Sequence, residues 1–221
     1  MATGPRYRVT FRRKREGKTD YRKRLKLLLS ERPRFVVRKT SKRFLAQLTE
    51  YQPQGDIVLA CSDSKELANY GWKGGGSNLP AAYLVGLLCG QKALEKKIKQ
   101  GVLDLGLATP IAGGGIFAVL KGALDAGLEI AHQDTTIPNE GRIRGEHIAS
   151  YGTVLAGDKK KRFSKYLGKG LDPEHLPKHF EEVKKRIIAG KQGVVGVGKS
   201  KPHKGKEKNP RPTKSGMKNL N

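Results

Sequence analysis

The positive charge of this chain is gathered at its two ends, and that separation limits what can fold. Residues 1–30 hold 11 Lys and Arg against 2 Asp and Glu, and residues 31–50 hold 6 against 2. Residues 51–155 hold 9 against 10, so the middle is almost neutral, while residues 156–221 hold 19 against 6. A compact unit that carried the whole formal charge of +25 would be destabilised by self-repulsion. The neutral middle therefore reads as the packed domain and the ends as arms. Hydrophobic residues make up 36% of the chain, enough for one modest core. A polyanion has to neutralise the arms, and nucleic acid is the natural one. A membrane surface would call for an amphipathic basic helix or a lipid anchor. The longest apolar stretch, residues 79–89, is too short to span a bilayer, and the first thirty residues are too charged for a signal segment. Cys61 and Cys89 stand without a partner motif, which suggests neither a disulfide framework nor a zinc ribbon and fits a reducing cytoplasm.

The middle predicts strands followed by helices. Residues 20–29 have a helical pattern, with Leu25, Leu28 and Leu29 on one side and basic residues on the other, ended by Pro33. Residues 35–38 predict a strand. Residues 43–50 predict a second, with Phe44, Ala46 and Leu48 alternating against Arg43, Leu45 and Gln47, and residues 56–61 a third. Their short connections make an antiparallel meander. Residues 79–100 predict a long helix with a stripe of Leu84, Leu87, Leu88, Leu94 and Ile98, closed by Gly101. A fourth strand is expected over 101–107, and helices over 115–126 and 146–155. Asp172-Pro173 reads as an N-cap followed by proline, opening a helix with Phe180, Val183 and Ile187 on one face. The fold class is α+β: a mixed, mainly antiparallel sheet with helices packed on one face, plus basic N- and C-terminal extensions. The expected divisions are a basic arm and helix over 1–30, an α/β core over 31–157, a helical segment over 158–192 and a basic flexible tail over 193–221.

Few motifs suggest chemistry. Gly193-Val194-Val195-Gly196-Val197-Gly198-Lys199-Ser200 matches the phosphate-loop pattern G-x-x-x-x-G-K-S in full. A working loop of that kind sits between a buried strand and a helix. Residues 181–189 instead read as helical, and Lys201-Pro202-His203-Lys204-Gly205 cannot open a helix, so nucleotide hydrolysis is not expected. Gly113-Gly114-Gly115 is better placed for an anion, although a tight strand-to-helix turn with close backbone packing is the favoured reading. Gly74-Gly75-Gly76 follows Trp72-Lys73, which suits either RNA contact or a hydrophobic anchor for a surface loop. His175 and His179 share a helical face, but no further Cys, Asp or Glu completes a metal set. Asp104 and Asp125 lie in different elements. No catalytic group, cofactor or metal is expected, and the chain does not read as an enzyme.

The two arms differ in chemistry. Arg6-Tyr7-Arg8-Val9-Thr10-Phe11-Arg12-Arg13-Lys14-Arg15 interleaves aromatics with arginines. Arginine forks onto phosphate and stacks on bases, and Tyr7, Phe11 and Tyr21 add stacking faces. The last arm spaces Lys199, Lys201, Lys204, Lys206, Lys208 and Lys214 with Gly, Pro, Ser and Asn, a composition expected to order only against RNA.

The same residues carry a family likeness. The run Gly4-Pro5-Arg6-Tyr7-Arg8-Val9 through Arg12-Arg13-Lys14-Arg15-Glu16-Gly17-Lys18-Thr19-Asp20-Tyr21-Arg22-Lys23-Arg24-Leu25 resembles the start of the archaeal and eukaryotic form of ribosomal protein eighteen of the large subunit, the universal 5S-RNA-binding family. Arg32-Pro33-Arg34-Phe35-Val36-Val37-Arg38-Lys39-Thr40-Ser41-Lys42 and Ala46-Gln47-Leu48 resemble its first two strands. Gly71-Trp72-Lys73-Gly74, Asn78-Leu79-Pro80-Ala81-Ala82-Tyr83-Leu84 and the run from Phe117 to Leu128 resemble its helices. Arg142-Ile143-Arg144-Gly145-Glu146-His147-Ile148 is similar to a segment typical of the archaeal form. The likeness runs from residue 4 to about 190 and leaves the tail outside it.

The resemblance implies a structural role in the ribosome of the cytoplasm. There the chain would grip 5S rRNA in the central protuberance and tie it to the large-subunit rRNA, beside neighbouring large-subunit ribosomal proteins. No membrane and no small-molecule substrate are implied. RNA contacts are expected from Arg6, Tyr7, Arg8, Arg12, Arg13, Arg15, Lys18, Tyr21, Arg22 and Arg24, and from Arg34, Arg38, Lys39, Ser41, Lys42, Arg43, Trp72 and Lys73. The rival reading is a free-standing RNA chaperone or nucleoid-type binder, which would share the charge without needing the N-terminal run.

Overall fold

Asp20 begins the first helix of two turns. Its carboxylate accepts from the backbone N–H groups of Arg22 at 2.9 Å and Lys23 at 3.2 Å, satisfying donors that a helix start leaves orphaned. A computed structural model describes residues 4–155 and 159–190; the phosphate-loop string and the lysine-rich tail lie outside the described residues. A short helix α1 (Arg12–Arg15) precedes α2 (Tyr21–Leu28). The leucine side of α2 does not enter the core, contrary to its helical pattern: Leu25 is 61% exposed and Leu29 75%.

The meander forms as expected from β1 (Arg34–Lys39), β2 (Phe44–Glu50) and β3 (Ile57–Asp63). Helix α3 (Leu79–Glu95) then crosses to β4 (Gln100–Asp104), parallel to β1. Helix α4 (Gly115–Asp125) crosses to β5 (Glu129–Ile130), parallel to β4. The sheet order is β3-β2-β1-β4-β5, a mixed sheet whose longer ladders are antiparallel. Two differences from the sequence expectation arise here. Strand β5 is only two residues long, too short for any alternating pattern. The long helix stops at Glu95 rather than near Gly101, because Lys97 takes a left-handed φ of 60° and turns the chain back. Gly101 is an interior residue of β4, paired with Ile130.

One face of the sheet holds the apolar core. Phe35, Val37, Phe44, Ala46 and Leu48 pack beneath α3 and α4, and α3 is buried from Pro80 through Gly90 rather than along one stripe. The two helices cross backbone against backbone. A Cβ on Gly86 would lie 1.9 Å from the Val119 carbonyl oxygen, and one on Gly122 would lie 2.1 Å from that of Tyr83. The chain continues through α5 (Glu140–Arg144), α6 (Glu146–Val154), α7 (Lys159–Arg162) and α8 (Ser164–Leu167) to α9 (Leu176–Ile188). Asp172 caps the turn before α9, accepting from the Glu174 N–H. Phe180, Val183 and Ile187 of α9 enter the same core. Burying such side chains contributes about 1.5–3 kcal/mol each, which holds the C-terminal segment onto the sheet domain.

Candidate nucleic-acid interface

The second face of the sheet is ionic. The register that points Phe35 and Val37 into the core turns Arg34, Val36 and Arg38 the other way, beside Thr49, Gln47 and Leu45 of β2. Arg34 is 4% exposed, with Nη1 donating to Asp104 at 2.9 Å and Nη2 to Asp56 at 2.5 Å. Asp104 also accepts from the Gly106 N–H at 2.7 Å and pairs with Arg38 at 3.5 Å. Arg24 of α2 reaches Asp56 at 2.8 Å, so one carboxylate ties the helix to the strand beneath it. These groups line a cleft of about 280 Å³ between arm and sheet, which Arg13, Lys18 and Lys23 also border.

The arm outside this cleft is open to solvent. Arg6, Tyr7, Arg8, Arg12, Arg13, Arg15 and Lys18 are exposed, as are Arg22 of α2 and Lys39, Ser41 and Lys42 at the β1–β2 turn. Local contacts shape the arm: Arg13 Nε donates to Thr19 at 2.9 Å, and Arg12 and Lys18 flank Glu16. The Lys18 ammonium and then the Arg12 guanidinium hold the Glu16 carboxyl below its ordinary range. Phe11 rests against Tyr21 with ring centroids 5.1 Å apart, so two of the three expected stacking faces meet each other and Tyr7 stays free. Tyr21, Arg24, Arg38 and Arg43 are partly covered, the last paired with Asp63 at 2.8 Å.

Two expected contacts prove to be interior residues. Arg34 spends its charge on Asp56 and Asp104 and presents none outward. Trp72 is 5% exposed, its Nε1 donates to the Gly75 carbonyl at 3.1 Å, and its ring stacks on His179 at 5.3 Å and 19°. No open ring face remains for a base, so Trp72 anchors its loop, while its neighbour Lys73 is exposed. His179 Nε2 accepts from the Lys73 N–H at 3.1 Å, which separates it in role from the exposed His175. Gly113-Gly114-Gly115 forms a tight turn, with Gly113 at φ 67° and a Cβ on Gly115 meeting the Phe44 ring at 2.4 Å. Lys23, absent from the expected contacts, borders the cleft. Its place in the basic run from Arg22 to Arg24 was the available signal.

An exposed arginine-aromatic arm mounted on a folded sheet domain is the geometry that the comparison with known proteins meets. Residues 5–102 match the family of ribosomal large subunit proteins 60S L5 and 50S L18. Over that stretch the chain is similar to these large-subunit ribosomal proteins. The similarity supports a large-subunit ribosomal protein that binds 5S rRNA. The match takes in the arm, α2, the meander, α3 and the start of β4. The α4–β5 crossover and helices α5 to α9 lie beyond it. Among the described residues, no helix is long and apolar enough to cross a membrane.

Proposed function

We propose that this chain fixes 5S rRNA to the large-subunit rRNA in the central protuberance, as a structural and non-catalytic protein of the archaeal type. The observation that carries the reading is the contrast within the basic surface. Arg34 is consumed by two carboxylates and Arg24 is partly covered by one, whereas the arm from Arg6 to Lys18 is exposed and held at its root by Asp20 and by the Phe11–Tyr21 contact. Arg6, Tyr7, Arg8, Arg12, Arg13, Arg15, Lys18 and Arg22 would supply the specific grip. Lys39, Ser41, Lys42 and Lys73 would extend it along the turn and the loop. Tyr21, Arg24, Arg38 and Arg43 would contribute through their uncovered atoms.

Arginine reads RNA by a planar fork and by stacking, which lysine cannot copy. Changing Arg6, Arg8, Arg12 and Arg13 together to lysine preserves the charge. It is expected to weaken 5S rRNA binding about tenfold or more while changing binding to unrelated RNA little, in filter-binding or fluorescence titrations. Equal losses on both RNAs, or none, would leave the arm as a charge donor only. Retention of the chain on large subunits through high-salt sedimentation separates this reading from a free-standing RNA chaperone.

A further inference from the structure

The end of the sheet where β1 turns into β2 carries a second basic concavity, and its composition differs from that of the arm cleft. An open groove of about 480 Å³ has Lys42, Arg43, Lys65 and Lys169 around it, with Gly74 and Gly76 on the loop that Trp72 anchors. No Asp or Glu lines it, whereas Asp20, Asp56 and Asp104 line the arm cleft. Only Arg43 of its four cations has a carboxylate partner among the described residues. Cations converging from separate parts of the chain without counter-charge repel one another unless an external anion sits between them. The groove wall holds one aromatic residue, Trp72, but it is 5% exposed and stacked on His179, so it leaves little ring for a base. Its glycines leave the wall smooth: a Cβ on Gly76 would crowd the Lys42 carbonyl at 3.0 Å. A run of phosphates fits these features better than a flipped base.

We propose that this groove is a second RNA site, which binds the phosphodiester backbone through Lys42, Arg43, Lys65 and Lys169. The proposal rests on the reading of the chain as an rRNA-binding protein and extends it to residues that the arm does not include. Lys169 comes from the segment beyond the family match, so the site is incomplete without the C-terminal part. That segment is fixed in place by the Asn78–Tyr166 hydrogen bond at 3.0 Å, the Trp72–His179 stack and the Arg186–Tyr70 carbonyl contact at 3.3 Å.

The test uses the full chain with Lys65→Gln and Lys169→Gln together, titrated with 5S rRNA over a range of salt. Lys97→Gln with Lys99→Gln is the control, removing the same charge from exposed positions at the other end of the strands. Each lost phosphate contact flattens the log–log salt slope by about 0.7–0.9. The groove pair is therefore expected to flatten it by about 1.4–1.8 and to weaken binding roughly tenfold near physiological salt. The control pair should leave both near wild type. Hydroxyl-radical footprinting should show one protected stretch lost and the arm's protections kept. A groove pair indistinguishable from the control overturns the proposal. So does an unchanged salt slope joined to failed incorporation into large subunits, which would assign the groove to an acidic protein. Wild-type binding that shows no preference for 5S rRNA would count against the 5S reading alone, because the slope difference between the two variants still decides the groove.

Discussion

The two faces of the sheet are held by different physics. The face beneath α3 and α4 is apolar and close-packed, down to backbone contact at Gly86 and Gly122. The opposite face is an ion network in which Arg34 sits between Asp56 and Asp104, with Arg24 and Arg38 at the edges. An apolar face fails when volume changes and tolerates a change of identity at constant shape. An ionic face fails when one partner is removed, because the remaining charge is left buried. The first face serves stability, and the second positions the arm that we propose as the RNA grip.

Asp104→Ala gives the largest expected effect. It leaves Arg34 buried beside a single carboxylate and removes the acceptor of the Gly106 N–H. A loss of about 3–5 kcal/mol, seen as a lower urea midpoint, is expected for a broken buried pair. A loss below about 1 kcal/mol would mean that water compensates Arg34 and that the face is less closed than its exposure indicates.

Gly86→Ala tests the apolar face. The added methyl would meet the Val119 carbonyl oxygen, which belongs to a helix backbone and cannot swing aside. A destabilisation of about 2–3 kcal/mol follows from overpacking. The RNA preference of the fraction that folds should be unchanged, which would show the two faces to be separable.

Asp56→Asn sharpens the comparison by its sign. Removing a negative charge from a protein that binds a polyanion should tighten binding if bulk electrostatics alone acted. Asp56 ties Arg24 to Arg34, so its loss is expected instead to weaken 5S rRNA binding about two- to fivefold, equivalent to roughly 0.5–1 kcal/mol for a partly exposed pair. Asp134→Asn, whose side chain is 99% exposed, is the matched control and should leave binding unchanged or slightly tighter. Tighter binding by the Asp56 variant would remove the positioning role.

The smallest effect concerns the seam between the sheet domain and α9. Burial lowers the His179 pKa from its ordinary 6.5; Glu182 pulls it partly back, and the nearby cations Lys73 and Arg186 add smaller downward pushes. The folded state therefore takes up a proton less readily than the unfolded chain. The contribution of His179 is present above about pH 6.5 and is lost as the pH falls through the folded value. Protonation also ends its acceptance of the Lys73 N–H. Thermal melts of the wild type should drop more between pH 7 and pH 5 than those of His179→Gln. Parallel curves would show that the ring carries no linked proton.

Much of this could be read along the chain because the signals were local. The arm was visible as alternating arginine and aromatic residues, the meander as short strands joined by turns, and the α9 face as Phe180, Val183 and Ile187 at helical spacing. The leucines of α2 misled because a helical pattern states which side is apolar without stating whether anything lies against it. Arg34 and Trp72 were expected outside because Arg and an isolated Trp next to Lys read as surface chemistry. Nothing local announces Asp56 and Asp104, which are 22 and 70 residues from Arg34.

The sequence by itself determined where the charge lies and where most of the strands and helices run. These follow from composition and from periods of two and 3.6 residues, which are properties of neighbours in the chain. Only the tertiary structure decided which cations are free. Arg24 and Arg34 each lie two residues from an exposed arginine, Arg22 and Arg32, and the fold sets Arg34 against two carboxylates while leaving the arm uncovered. Lys169 likewise comes to face Lys42 and Lys65 only because α9 docks on the core and brings the segment before it to the sheet. Charge is a property of a residue; whether it is already neutralised depends on what the fold places within a few ångströms of it.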